Sequence, residues 1–142
     1  MVLTIKEVMD TRFLAADGGL TVDEAARRMV ESRHGYLLIL DGGRPTGILT
    51  EWDLVEKVLA AGRDPRTTPV DAIASRPVMS VDGGTPTTDV VEMMVKRGVR
   101  RMVITENGAV VGVVGGKDVL RIFRSYVDRI SAEIARLQSS FP

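Results

Sequence analysis
Sliding the sequence along itself by 65 positions, with no gap, lays Asp17-Gly18-Gly19 on Asp82-Gly83-Gly84. The same shift puts Met29-Val30 on Met94-Val95, Ile39 on Ile104, Gly43 on Gly108, Gly47 on Gly112 and Asp53 on Asp118. A duplicated chain is confined to few folds. Each copy is a supersecondary unit too small to bury its own apolar face, so the two must stack into one core. The expected body has a pseudo-two-fold axis, with clefts lined by corresponding residues of both copies.

Periodicity and turn residues give the elements inside a copy. Residues 4–9 carry Thr4 and Glu7 at capping-box spacing and predict one helical turn. Residues 13–16 predict a short strand, closed by Asp17-Gly18-Gly19. Val22, Ala25, Ala26, Met29 and Val30 fall at helical spacing, and Thr87, Val90, Val91, Met94 and Val95 repeat that face. Residues 36–40 form a continuous apolar run, Asp41-Gly42-Gly43 turns a hairpin, and residues 45–49 return. A second helix is expected over residues 51–60, with Leu54, Val55, Val58 and Leu59 on one side. Gly62, Pro65 and Pro69 mark a linker.

The expected fold class is therefore α+β: two tandem β-α-β-β-α repeats, 4–62 and 69–124, joined by a linker at 63–68. A C-terminal amphipathic helix over 125–142 completes the chain. Leu120, Phe123, Val127, Ile130, Ile134, Leu137 and Phe141 alternate by three and four, a narrow seam of the coiled-coil kind. The seam turns either onto its own chain or onto another. Arg124, Asp128, Arg129, Glu133 and Arg136 form the opposite, solvated face.

Two junctions stand out. Gly47-Ile48-Leu49-Thr50-Glu51-Trp52-Asp53 and Gly112-Val113-Val114-Gly115-Gly116-Lys117-Asp118 each lead an apolar strand straight into a helix. Unpaired amides and the helix dipole favour anions at such a terminus. Thr50-x-x-Asp53 is also close to a capping box, in which hydroxyl and carboxylate serve only the helix's own amides.

Composition removes several function classes. Lys+Arg and Asp+Glu both total 19, so no net field points to nucleic acid or an anionic membrane. With no cysteine the chain has no disulfide, thiolate metal site or Cys nucleophile. His34 is its single histidine, and the sequence shows no metal-ligand cluster, which argues against an enzyme. No apolar run is long enough to span a bilayer, and the N-terminus has no signal pattern, so the default expectation is a cytoplasmic protein.

Together these residues resemble the tandem cystathionine-β-synthase (CBS) domain pair, or Bateman module, over about residues 4–125. The resemblance rests on the duplication, the element order and the Gly-hydrophobic-hydrophobic-Thr-x-x-Asp ending at Asp53. Gly35-Tyr36-Leu37-Leu38-Ile39-Leu40-Asp41 and Val99-Arg100-Arg101-Met102-Val103-Ile104 also look like the family's second strand. It implies a stand-alone pair, with no fused enzyme or channel, that binds an adenosyl ligand between the repeats. AMP is the first expectation, ADP and ATP the next, S-adenosylmethionine and NAD the alternatives.

The resemblance further implies that Asp53 and Asp118 accept from ribose hydroxyls and that Thr50 binds ribose or phosphate. Gly115 stands where the second copy would carry that hydroxyl, followed by Gly116. Arg100 and Arg101 match the phosphate position facing the first junction, Gly35-Tyr36 is their counterpart, and Lys117 adds a charge. On that implication the cleft of Thr50 and Asp53 is the tighter one. Tyr36 is read as a packing residue or a purine stacker. The functional expectation is a regulatory sensor without a catalytic cofactor, acting as a homodimer, with an unidentified protein effector as a further partner. The alternative is a scaffold whose cleft binds no nucleotide.

Overall fold
The computed structural model describes residues 3–140; Phe141, the last position of the seam, lies outside them. Six strands and four helices follow in the order β1 (Ala15–Ala16), α1 (Val22–Ser32), β2 (Tyr36–Asp41), β3 (Arg44–Thr50), α2 (Glu51–Asp53), β4 (Ser80–Asp82), α3 (Thr87–Arg97), β5 (Arg101–Glu106), β6 (Ala109–Gly115), α4 (Gly116–Ser140). Each repeat forms a three-stranded sheet, ordered β1-β2-β3 in the first and β4-β5-β6 in the second. In both, the first pair is parallel and the second antiparallel. The α+β pattern expected from the sequence is the one found.

Local chemistry explains the joints. The two-residue hairpin loops are Gly42-Gly43, with φ of 57° and 81°, and Asn107-Gly108, with φ of 53° and 81°. Positive φ at both positions matches the right-handed twist of the flanking strands. Helix α1 begins at Thr21, whose hydroxyl accepts from the Glu24 amide at 3.3 Å. It ends at Arg33 in the left-handed region, and α3 ends likewise at the corresponding Gly98.

Strands β2 and β5 each hold a continuous apolar run, 36–40 and 102–104, because both faces are buried there. Leu37 and Ile39 point into the first repeat's core with Val22, Ala25, Met29 and Leu49. Met102 and Ile104 do the same with Val90, Met94 and Val114 in the second. Their alternates Tyr36, Leu38 and Val103 join Val113 in a third cluster between the two sheets. Leu38 and Val103 are related by the 65-residue shift, so the pseudo-two-fold axis passes through this layer.

The repeats also exchange their leading segments. Ile5 and Val8 complete the second repeat's core, while their counterparts Val70 and Ile73 complete the first. The 3-10 turns Ile5–Glu7 and Val70–Ala72 carry these residues. Asp10 pairs with Val113 on β6, and Ser75 pairs with Ile48 on β3. Every cleft is thus walled by a leading segment of one repeat and the last strand of the other.

Two expectations change. Beyond α2 the chain winds as a π-helix, Leu54–Leu59, with the Ala60 amide donating to the Val55 carbonyl at 2.8 Å. Leu54 and Val58 pack inward, but Val55 and Leu59 are exposed, so the four apolar residues do not share a buried face. At the other end α4 is one unbroken helix, and the expected boundary at 124/125 falls inside it. The seam does not fold back on its own chain: Val127, Ile130, Ile134 and Leu137 are all exposed. No helix among the described residues is long and apolar enough to cross a membrane.

Candidate functional site
The two strand-to-helix junctions, equivalent in sequence, differ in chemistry. At the first, Asp53 is 3% exposed and both of its oxygens are engaged. Oδ2 accepts from the Thr50 amide at 2.9 Å and the Thr50 hydroxyl at 3.0 Å. Oδ1 accepts from the Ser75 hydroxyl at 2.9 Å and lies 2.8 Å from the Lys57 ammonium. Lys57 also donates to the Ile73 carbonyl at 3.0 Å, which fixes it in place. Burial alone would raise the Asp53 pKa, but Lys57, the Thr50 amide and the Ser75 and Thr50 hydroxyls outweigh it and hold it below the usual carboxylate value.

At the second junction the carboxylate is more open. Asp118 Oδ2 accepts from the Gly115 amide at 2.8 Å, and Oδ1 from the Arg121 guanidinium at 2.9 Å. Arg121 is 64% exposed and is free to turn away. The positions equivalent to Ser75 and Lys57 hold Asp10 and Ile122, a carboxylate and a hydrocarbon in place of a hydroxyl and an ammonium.

Around Asp118 opens a cleft of about 1560 Å³. Six cationic side chains line it: Arg12, Arg33, Arg100, Arg101, Lys117 and Arg121. The acidic groups are Asp10, Glu51 and Asp118, so the lining is cationic by three charges. Low-dielectric walls of one predominant sign concentrate counter-ions. At the centre the Arg101 guanidinium stands 5.2 Å over the Tyr36 ring and 3.7 Å from Glu51 Oε1. Tyr36 and Arg101 are themselves related by the 65-residue shift and meet at the axis. A side chain at Gly35 would meet the ends of the Glu51 and Arg101 side chains and would have to displace them from this approach. The Tyr36 phenol is pushed up to about 12, first by burial and then by Asp10, so it keeps its proton near neutrality and does not serve as an anionic base.

The structure therefore gathers Tyr36, Arg100, Arg101, Gly115, Lys117 and Asp118 into one cleft and leaves Thr50 and Asp53 outside its lining. The sequence reading set Arg100 and Arg101 opposite Thr50 and Asp53; Arg101 does reach that junction at Glu51, and both arginines also line the Asp118 cleft. Pairing of β5 with β6 sets Arg101 directly across from Gly115. The capping-box alternative describes Thr50 and Asp53 as they stand. Sequence reasoning missed Arg12, Arg33 and Arg121. Only Arg121 carried a signal, at i+3 from Asp118 on a helix. Gly115 leaves room: a Cβ there would meet nothing closer than the Arg100 carbonyl at 3.6 Å.

Comparison with known proteins agrees with this architecture. The family model described as the CBS domain matches twice, over residues 5–60 and 70–125. An uncharacterised protein of Methanopyrus kandleri is 33% identical over 120 residues, covering 83% of this chain and 61% of its own length. The chain thus spans about three-fifths of that relative. A crystal structure of an uncharacterised conserved protein from Pyrococcus horikoshii superposes with a TM-score of 0.79 at 28% identity, covering 86% of this chain and 92% of that one. A CBS domain pair in complex with 5′-methylthioadenosine and S-adenosyl-L-methionine shares the fold, with a TM-score of 0.78 at 24% identity, over 89% of this chain and 99% of that one.

Proposed function
The chain belongs to the CBS domain family as a tandem pair, a class of regulatory ligand-binding modules, and we propose that it senses a phosphorylated adenosyl ligand in the Asp118 cleft. AMP, ADP and ATP are the candidates. The observation that carries this reading is the break in pseudo-symmetry: Ser75 and Lys57 occupy Asp53, while Asp118 has only the Gly115 amide and an exposed arginine. Asp118 accepts from the vicinal ribose hydroxyls as Arg121 turns to the phosphates. Charge-assisted bonds of this kind contribute about 1.5–3 kcal/mol each. Arg100, Arg101 and Lys117, with the unhindered backbone of Gly115-Gly116, receive the phosphate chain.

The cationic lining favours phosphates over the sulfonium of S-adenosylmethionine. The adenosyl half of the reading is supported by the ligands of the pair that shares this fold. Because the cleft is walled by both repeats, an occupant ties them together, and the readout is conformation or assembly rather than catalysis. Calorimetry with adenosine, AMP and ATP tests the site. Asp118→Ala should weaken all three by tenfold or more, about 1.4 kcal/mol, while Asp53→Asn leaves affinity essentially unchanged. The opposite pattern would return the site to Thr50 and Asp53.

A further inference from the structure
A second feature lies away from the cleft. Helices α3 and α4 leave between them an open apolar groove of about 920 Å³, walled by Leu3, Val91, Val95, Val119, Phe123 and Tyr126. From this groove α4 runs on, and Leu120, Phe123, Val127, Ile130, Ile134 and Leu137 remain between 41% and 68% exposed. Groove and stripe are continuous, since Phe123 belongs to both. We propose that the stripe pairs antiparallel with α4 of a second copy, so that the distal half of each helix meets the groove of the other.

One register seats every member. Leu120 lies on the partner's Leu137, Phe123 on the partner's Ile134 and Val127 on the partner's Ile130, and symmetry repeats each contact. Arg124 then lies opposite Ser131, and Glu133 opposite Tyr126, so no like charges meet along the flanks. Asp128, Arg129 and Arg136 fall on the outer side of the pair. A stripe so self-complementary fits its own copy, and a foreign helix would have to reproduce the same spacing.

Area decides the direction. A large aliphatic side chain carries roughly 100 Å² of apolar surface, so six half-exposed ones offer about 300 Å² per chain. Stable interfaces take about 800 Å² from each partner. A parallel pair would carry both distal helices away from both bodies and end well short of that figure. The antiparallel pair returns each distal half to the partner's body, where the groove walls and Val95, 78% exposed, become covered as well.

The chain has no cysteine, so introduced thiols report the register directly. Leu120→Cys and Leu137→Cys both fall at exposed positions, and far-UV circular dichroism checks that each variant is folded. Each is oxidised alone and in an equimolar mixture of the two proteins. The mixture should give disulfide-linked dimer at several-fold the yield of either variant alone. Self-linking of Leu137→Cys at the yield of the mixture would mean a parallel pair, and no linkage in any sample would mean that the tails do not meet. Either result overturns the proposal.

Discussion

Asp53 has four donors on two oxygens, and removing its charge leaves Lys57 facing a neutral group in a closed site. Its pKa in the fold lies below the ordinary value, so the ionised form stabilises the protein. That contribution is fully present above the unfolded-state value of about 3.9 and is lost as pH falls through the lower, folded-state value. Asp53→Asn should cost about 1–3 kcal/mol at pH 7 and flatten the acid limb of the stability profile. Denaturant unfolding of both proteins between pH 7 and pH 3 checks it, and parallel profiles would show that the carboxylate is not the titrating element. Arg101 is the residue with two alternatives, the Tyr36 ring and Glu51 on one side and a ligand phosphate on the other. Arg101→Ala should weaken ATP by about tenfold, AMP less and adenosine least. Equal losses in calorimetry would make Arg101 a structural residue.

Helices carry the clearest lesson on what periodicity conveys. Val22, Ala25 and Met29 are buried as their spacing predicts, yet Val30 on the same stripe is 77% exposed, and its counterpart Val95 is 78% exposed. The apolar pattern of α1 and α3 is wider than the core face, and the excess looks outward at equivalent places in both repeats. The first hairpin and the apolar run of β2 were legible because each follows from neighbouring residues. The closure of Asp53 was not, because Ser75 is 22 positions away and arrives only through the exchanged leading segments. The π-helical stretch was equally hidden, since Leu54, Val55, Val58 and Leu59 fit an ordinary helix. Tail exposure gives this scale its own prediction. With no cover from its own chain, the stretch from Val127 to Leu137 should show amide protection that rises with protein concentration, while β2 and β5 do not change. Hydrogen exchange at low and high micromolar concentration decides it, and concentration-independent protection of the tail would refute association through α4.

The whole molecule is held together by exchange. Ile5 is fully buried among Val90, Met94, Met102 and Ile104 of the second repeat, and Val70 is fully buried among Val22, Ala25 and Leu37 of the first. Neither repeat has a complete core from its own consecutive residues, and the layer of Tyr36, Leu38, Val103 and Val113 joins them again at the axis. The two repeats should therefore unfold as one cooperative unit, although the sequence presents two. Ile5→Ala removes three methyl-sized groups from the second repeat's core and should cost about 2–5 kcal/mol. If the exchange couples the repeats, that loss must appear equally in the first repeat, whose own core contacts are untouched. Amide resonances of β2 and β5 followed through a denaturant titration supply one probe in each sheet. They should lose intensity at a common midpoint in the wild type and move together to a lower one in Ile5→Ala. A β5 transition that shifts while β2 keeps its midpoint would mean that the repeats are independent, and an occupant of the Asp118 cleft would then stabilise one repeat without the other.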